Sequence, residues 1–82
     1  MIVMIRTNGA LAEKIGTTRL RLSVETAAPT VADVITQLND TYPHAATAIK
    51  QAIPFVSGRH LAPTTAIKQG QEIALLMPAA GG

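Results

Sequence analysis

Hydrophobic positions in this chain repeat every second residue in some stretches and every third or fourth in others, and the changeovers divide it into elements. Thr18-Arg19-Leu20-Arg21-Leu22-Ser23-Val24 alternates most cleanly. It places Leu20, Leu22 and Val24 on one face and Arg19, Arg21 and Ser23 on the other, the pattern of a strand with one buried and one wet side. Ile2 to Thr7 is rich in strand formers and predicts an opening strand, closed by the turn pair Asn8-Gly9. In Ala10 to Ile15, Leu11 and Ile15 lie four apart and Gly16 follows, which predicts a short helix with a glycine C-cap. After the break at Ala27-Ala28-Pro29, Val31, Val34, Ile35, Leu38 and Tyr42 follow helical spacing up to Pro43. Thr30 is placed to cap this helix, with Asp33 as the acid of a short capping box. His44 to Ala52 is Ala-rich and fits a second helical turn followed by loop.

Extended chain resumes at Ile53-Pro54. Pro54-Phe55-Val56-Ser57 and Gly58-Arg59-His60-Leu61 read as a strand, a tight turn and a short edge strand, with Pro54 suited only to a first position. Pro63 to Ile67 is a loop or single helical turn, Lys68-Gln69-Gly70-Gln71 a glycine turn, and Glu72 to Met77 the last strand. The order β, short α, β, long α, β, β, β predicts an α+β domain over residues 1–77, a mixed sheet of four to five strands wrapping one main helix plus a short one. Val31, Val34, Ile35 and Leu38 should then pack on Leu20, Leu22, Ile73 and Leu75. The period of two in the last strand turns Ile73, Leu75 and Met77 inward and Ala74 and Leu76 outward. With Met4 and Phe55 on neighbouring strands, Leu76 would form an exposed apolar patch suited to a partner.

Composition narrows the possible chemistry. Eighty-two residues at 48% hydrophobic content support one core, and the absence of cysteine excludes disulfides, thiolate metal sites and a cysteine nucleophile. The apolar stretch Met1 to Ile5 is too short for a signal sequence, and no run reaches bilayer length, so a soluble, cytoplasmic protein with no membrane association is expected. The pI near 9.5 reflects a net charge of only +2. Seven scattered Lys and Arg residues, with Tyr42 and Phe55 the only aromatics, do not make a nucleic-acid footprint. His44 and His60 lack the partners of a metal site, the glycines are too dispersed for a phosphate loop, and no threonine has a general base nearby in sequence. No metal or bound cofactor is expected.

What remains is the end of the chain. Pro78 should stop the last strand and release a tail of residues 78–82, Pro78-Ala79-Ala80-Gly81-Gly82. Two residues without Cβ can thread a channel that excludes side chains, so the chemistry is expected on the carboxylate of Gly82, with Gly81 as its slender approach. A chance glycine pair or an expression-linker remnant would read the same way.

Four segments carry a family resemblance. Leu11-Ala12-Glu13-Lys14-Ile15-Gly16, Thr30-Val31-Ala32-Asp33-Val34-Ile35, Thr65-Ala66-Ile67-Lys68-Gln69-Gly70-Gln71-Glu72-Ile73 and Met77-Pro78-Ala79-Ala80-Gly81-Gly82 resemble, nearly end to end, the MoaD and ThiS sulfur carriers, which share the β-grasp fold of ubiquitin. Length and the helix after the first strand favour the small subunit of molybdopterin synthase over the thiamin carrier. Departures occur at Val56-Ser57, where the family usually has Val-Asn, at Met77-Pro78 in place of a doubled proline, and at Gln69-Gly70-Gln71 in place of an acidic turn. These bear on the choice of partner. The resemblance implies that an E1-like adenylyltransferase uses ATP to adenylate Gly82, that a persulfide protein supplies sulfur, and that the thiocarboxylate serves the large subunit of molybdopterin synthase. Leu76, Ala74, Met4, Phe55, Pro78, Ala79 and Ala80 are the expected partner contacts. Other readings share the tail or the fold: a carrier for thiamin, cysteine or another sulfur metabolite, a ubiquitin-like modifier, or a β-grasp interaction module whose tail is never modified.

Overall fold

The alternation at Thr18–Val24 becomes strand β2 (Arg19–Ser23), with Leu20 and Leu22 buried and Arg19 and Arg21 exposed. The computed structural model of the chain describes residues 1–78. β2 pairs antiparallel with β1 (Ile2–Thr7), and the two are linked through helix α1 (Gly9–Ile15). Helix α2 (Val31–Thr41), a 3-10 turn (Pro43–Ala45) and helix α3 (Ala46–Gln51) lead to the hairpin β3 (Ile53–Val56) and β4 (Arg59–His60), and then to β5 (Glu72–Leu76). The sheet order is β2-β1-β5-β3-β4, and β1 and β5 are its parallel pair. This is the β-grasp arrangement, with five strands. Residues 44–52 supply one more helix than the expected turn and loop, because Ala45, Ala48 and Ile49 all find burial against the core.

α2 is the clasped element, and its start is fully accounted for. A helix opens with four backbone N–H groups that lack intrahelical partners. Here Thr30 N–H donates to Asp33 Oδ2 (2.9 Å) and Asp33 N–H to Thr30 Oγ1 (3.3 Å), which is the capping box. Val31 N–H donates to the carbonyl of Thr65 (2.9 Å) and Ala32 N–H to that of Pro63 (3.0 Å). The segment after β4 is thereby tied to the helix start, and Ile67 N–H, bonded to the carbonyl of buried Pro29 (2.8 Å), extends the tie. Val31, Val34 and Leu38 are buried as expected, over a sheet face that includes Val3, Ile5, Leu20, Leu22, Ile73 and Leu75. Ile35 departs from expectation. It is half-buried and borders the shallow groove between α2 and α3.

Pro54 stands second in β3, not first. Its carbonyl accepts from Leu61 N–H (2.9 Å), so its missing N–H also lies on the side of the two-residue β4, where the ladder has almost ended. The turn between β3 and β4 uses Ser57 (φ 50°) and Gly58 (φ 79°), both at positive φ as in a type I′ hairpin.

Two stability outcomes follow. Leu38 has no exposed surface, so Leu38→Ala should cost about 2–5 kcal/mol in denaturant unfolding, and a variant that melts with the parent would contradict the helix-on-sheet packing. Ser57 occupies a conformation that costs an ordinary L-residue roughly 1–2 kcal/mol but suits asparagine better. Ser57→Asn should recover part of that cost and raise the melting temperature.

Candidate functional site

Register assigns the side chains of the sheet to its two faces. Ile5 opposes Ile73 and Thr7 opposes Leu75 on the core face. Met4 therefore shares the outer face with Glu72, and Arg6 with Ala74. Across β3, Phe55 opposes Ala74 and Ile53 opposes Leu76, while His60 of β4 opposes Phe55. One row thus runs Arg19, Arg6, Ala74, Phe55, His60, and a second runs Arg21, Met4, Glu72. The face is cationic over β2 and β1 and apolar over β5 and β3. Arg6, Glu72, Ala74, Phe55 and Leu76 border an open depression of about 640 Å³ between the two parts.

The expected patch residues do share this face, but their exposure differs from expectation. Ala74 is only 7% exposed, because a methyl group on a strand flanked by β1 and β3 is overshadowed by longer neighbours. Leu76, Met4 and Phe55 are half-buried, not exposed, each partly covered by cross-strand partners. Ile2, on the same face at the outer end of β1, is 48% exposed and is the exposed large hydrophobic residue of the described chain.

Charge on this face is poorly balanced. Arg6 and Arg19 are directly opposite across β1 and β2, a like-charge pairing that disfavours the strand contact. The carboxylate within reach, Glu72, meets Arg6 at 4.0 Å in a solvent-exposed pair that contributes little.

β5 leads to Met77 and Pro78, the last of the described residues. Its continuation is held by Asn8, whose Oδ1 accepts from Met77 N–H at 2.7 Å, while Met77 packs over Gly9. Met77 is half-buried against the core and Pro78 is exposed. Ala79, Ala80, Gly81 and Gly82 lie outside the described residues. Asn8 is also the N-cap of α1, yet its side chain makes no cap hydrogen bond, although asparagine there is worth about 1 kcal/mol to a helix. The sequence marks Asn8-Gly9 only as a turn. Nothing local signals a partner so far along the chain.

The histidines have structural partners. A carbonyl can only accept, so His44 Nε2 is the donor to Lys14 O at 2.7 Å, pinning the 3-10 turn to the end of α1. His60 stacks at a tilt on Phe55, with ring centroids 5.7 Å apart. Among the described residues there is no group of three or more His, Cys, Asp or Glu able to hold a metal, and no helix long and apolar enough to cross a membrane.

Five strands clasping a capped helix, with β5 at the centre of the sheet, define a ubiquitin-like β-grasp domain. The chain belongs to the ThiS family, whose model matches residues 5–82. No curated protein matches its sequence. Among solved structures, the crystal structure of SAMP1 from Haloferax volcanii is similar over all of both chains, at 23% identity and a TM-score of 0.86. The solution structure of small archaeal modifier protein 1 from Methanosarcina acetivorans matches at 26% identity and a TM-score of 0.79, covering 99% of this chain and 96% of that one. A putative molybdopterin converting factor, subunit 1, from Pyrococcus furiosus matches at 13% identity and a TM-score of 0.79, covering 96% of this chain and 99% of that one.

Gly9 is constrained by its φ of 52°, while a Cβ there would meet the Met77 Cβ at 3.4 Å, an ordinary van der Waals contact. Gly9→Ala should therefore cost about 1–2 kcal/mol and shift the Met77 resonances in NMR spectra. An unchanged melt with unmoved Met77 signals would contradict this packing.

Proposed function

We propose that this protein is a sulfur carrier that works through the carboxylate of Gly82 and serves as the small subunit of molybdopterin synthase. A carboxylate is a poor electrophile. Attack of its oxygen on the α-phosphorus of ATP, held by an E1-like adenylyltransferase, releases pyrophosphate and leaves an acyl-adenylate. The terminal sulfur of a protein persulfide then displaces AMP to give an acyl disulfide. A second thiol of the donor cleaves this, is itself oxidised to a disulfide, and frees the thiocarboxylate. The chain contributes the reacting terminus and the docking surface, and the large synthase subunit supplies the site where sulfur is transferred.

The observation that carries this reading is the family match, which extends to residue 82 and so takes in the sequence Gly81-Gly82 that follows β5. The outer sheet face suits docking: apolar at Ile53, Phe55 and Leu76, cationic at Arg6, Arg19 and Arg21. Its charge favours a partner with acidic residues opposite β1 and β2. Likeness to the modifier SAMP1 over the whole length supports a second reading, in which the same activated carboxylate is passed to lysine amines.

Intact mass of the protein purified from its own host should show the oxygen-to-sulfur increment at the C-terminus. Higher-mass species with an isopeptide bond to lysine would favour the modifier, and an unmodified chain would favour a simple interaction module. Gly81→Leu, or deletion of Gly82, should abolish adenylation with a parental melt, because a Cβ blocks a narrow channel and the core is untouched. Normal adenylation of Gly81→Leu would refute threading. Leu76→Glu should weaken binding to the activating enzyme or large subunit at least tenfold, about 1.4 kcal/mol, and calorimetric titration showing parental affinity would remove Leu76 from the interface.

A further inference from the structure

Asn8 has a choice of hydrogen bonds and makes the less local one. As the N-cap of α1, its side chain would ordinarily accept from a backbone N–H two or three residues on. Its Oδ1 instead accepts from Met77 N–H at 2.7 Å, one residue beyond the end of β5. The backbone pairing of β1 with β5 ends at Thr7 opposite Leu75, so the Asn8 side chain continues that ladder past the point where the strands part. Two neighbours brace the arrangement. Buried Thr7 fixes the end of β1 by donating its Oγ1 to Thr17 O (2.8 Å) and its N–H to Thr18 O (2.9 Å). Gly9, at φ 52°, turns the chain just after Asn8 and brings it within contact of Met77. Native proteins tend to break a local rule where function requires it, and a helix cap left unmade fits that pattern.

We propose that Asn8, with Gly9, is a positioning clamp that fixes where the reactive tail departs from the domain. This inference rests on the carrier reading only for its consequence in catalysis. With Met77 held, the carboxylate is carried by residues 78–82 alone, whose reach is at most about 18 Å. The last strand-like residue then need not be ordered when an activating enzyme binds. Releasing it moves that ordering cost into the binding step and leaves the chemical step alone.

The test uses the full chain, with Asn8→Ala and with Asn8→Asp, which keeps an oxygen acceptor at the same reach. In Asn8→Ala the Met77 amide should exchange with solvent at least tenfold faster, with Ile73 and Leu75 unchanged and the melt near parental, and Asn8→Asp should restore protection. In adenylation assays with its E1-like enzyme, Asn8→Ala should raise KM at least fivefold with kcat within twofold, and Asn8→Asp should return KM to normal. Unaltered Met77 exchange in Asn8→Ala would overturn the clamp, as would a loosened Met77 with unaltered KM. Faster exchange at Leu11 and Ala12 with a lowered melt and a protected Met77 would show Asn8 to be an ordinary helix cap. If the parent chain is not adenylated at all, the carrier reading fails and the exchange measurements alone decide the clamp.

Discussion

The parallel pairing of β1 with β5 is the contact on which the rest of the structure depends. It joins the two ends of the chain at the centre of the sheet, and Ile5, Ile73 and Leu75, without exposed surface, meet the clasped helix there. β2 and β3 add to its two flanks, and β4 closes one edge as a strand of two residues. So short an edge offers little backbone to an unwanted neighbour. Because β5 is central, Met77 and Pro78 follow from the middle of the sheet, beside its outer face.

The clasped helix has its own dependence, on the segment Pro63–Ile67. Carbonyls from that segment close two of the four open donors of α2, and the capping box closes the other two. A helix start so completely satisfied has nothing left to offer an anionic ligand. It also explains how a stretch without regular structure between β4 and β5 keeps a definite path.

Much of the fold was legible because local and global preferences agree. The alternation in β2, the Thr30 and Asp33 pair and the Gly16 cap each point one way, and each appears as read. Helix α3 was less legible because six residues make under two turns, too short for a periodicity to show or for propensity alone to hold a helix, and the burial of Ala48 and Ile49 that sustains it depends on the core. On the outer face, the period of two assigned Leu76, Ala74, Met4 and Phe55 to the correct side. It could not give their exposure, which depends on the bulk of cross-strand neighbours. The bond from Met77 to Asn8 was beyond sequence reasoning altogether, because its partners are 69 residues apart and either could have bonded locally.

The central position of β5 has a further consequence in the order of synthesis. Every other element leaves the ribosome before it, yet none can complete the sheet without it, since β1 and β3 meet only through β5. Contacts between distant parts of a chain form late and slowly. A nascent chain interrupted before β5 would therefore leave β1 and β2 without their neighbour, a species open to chaperones and proteases. The outer face described above therefore exists only in a chain translated through Leu76, the end of β5.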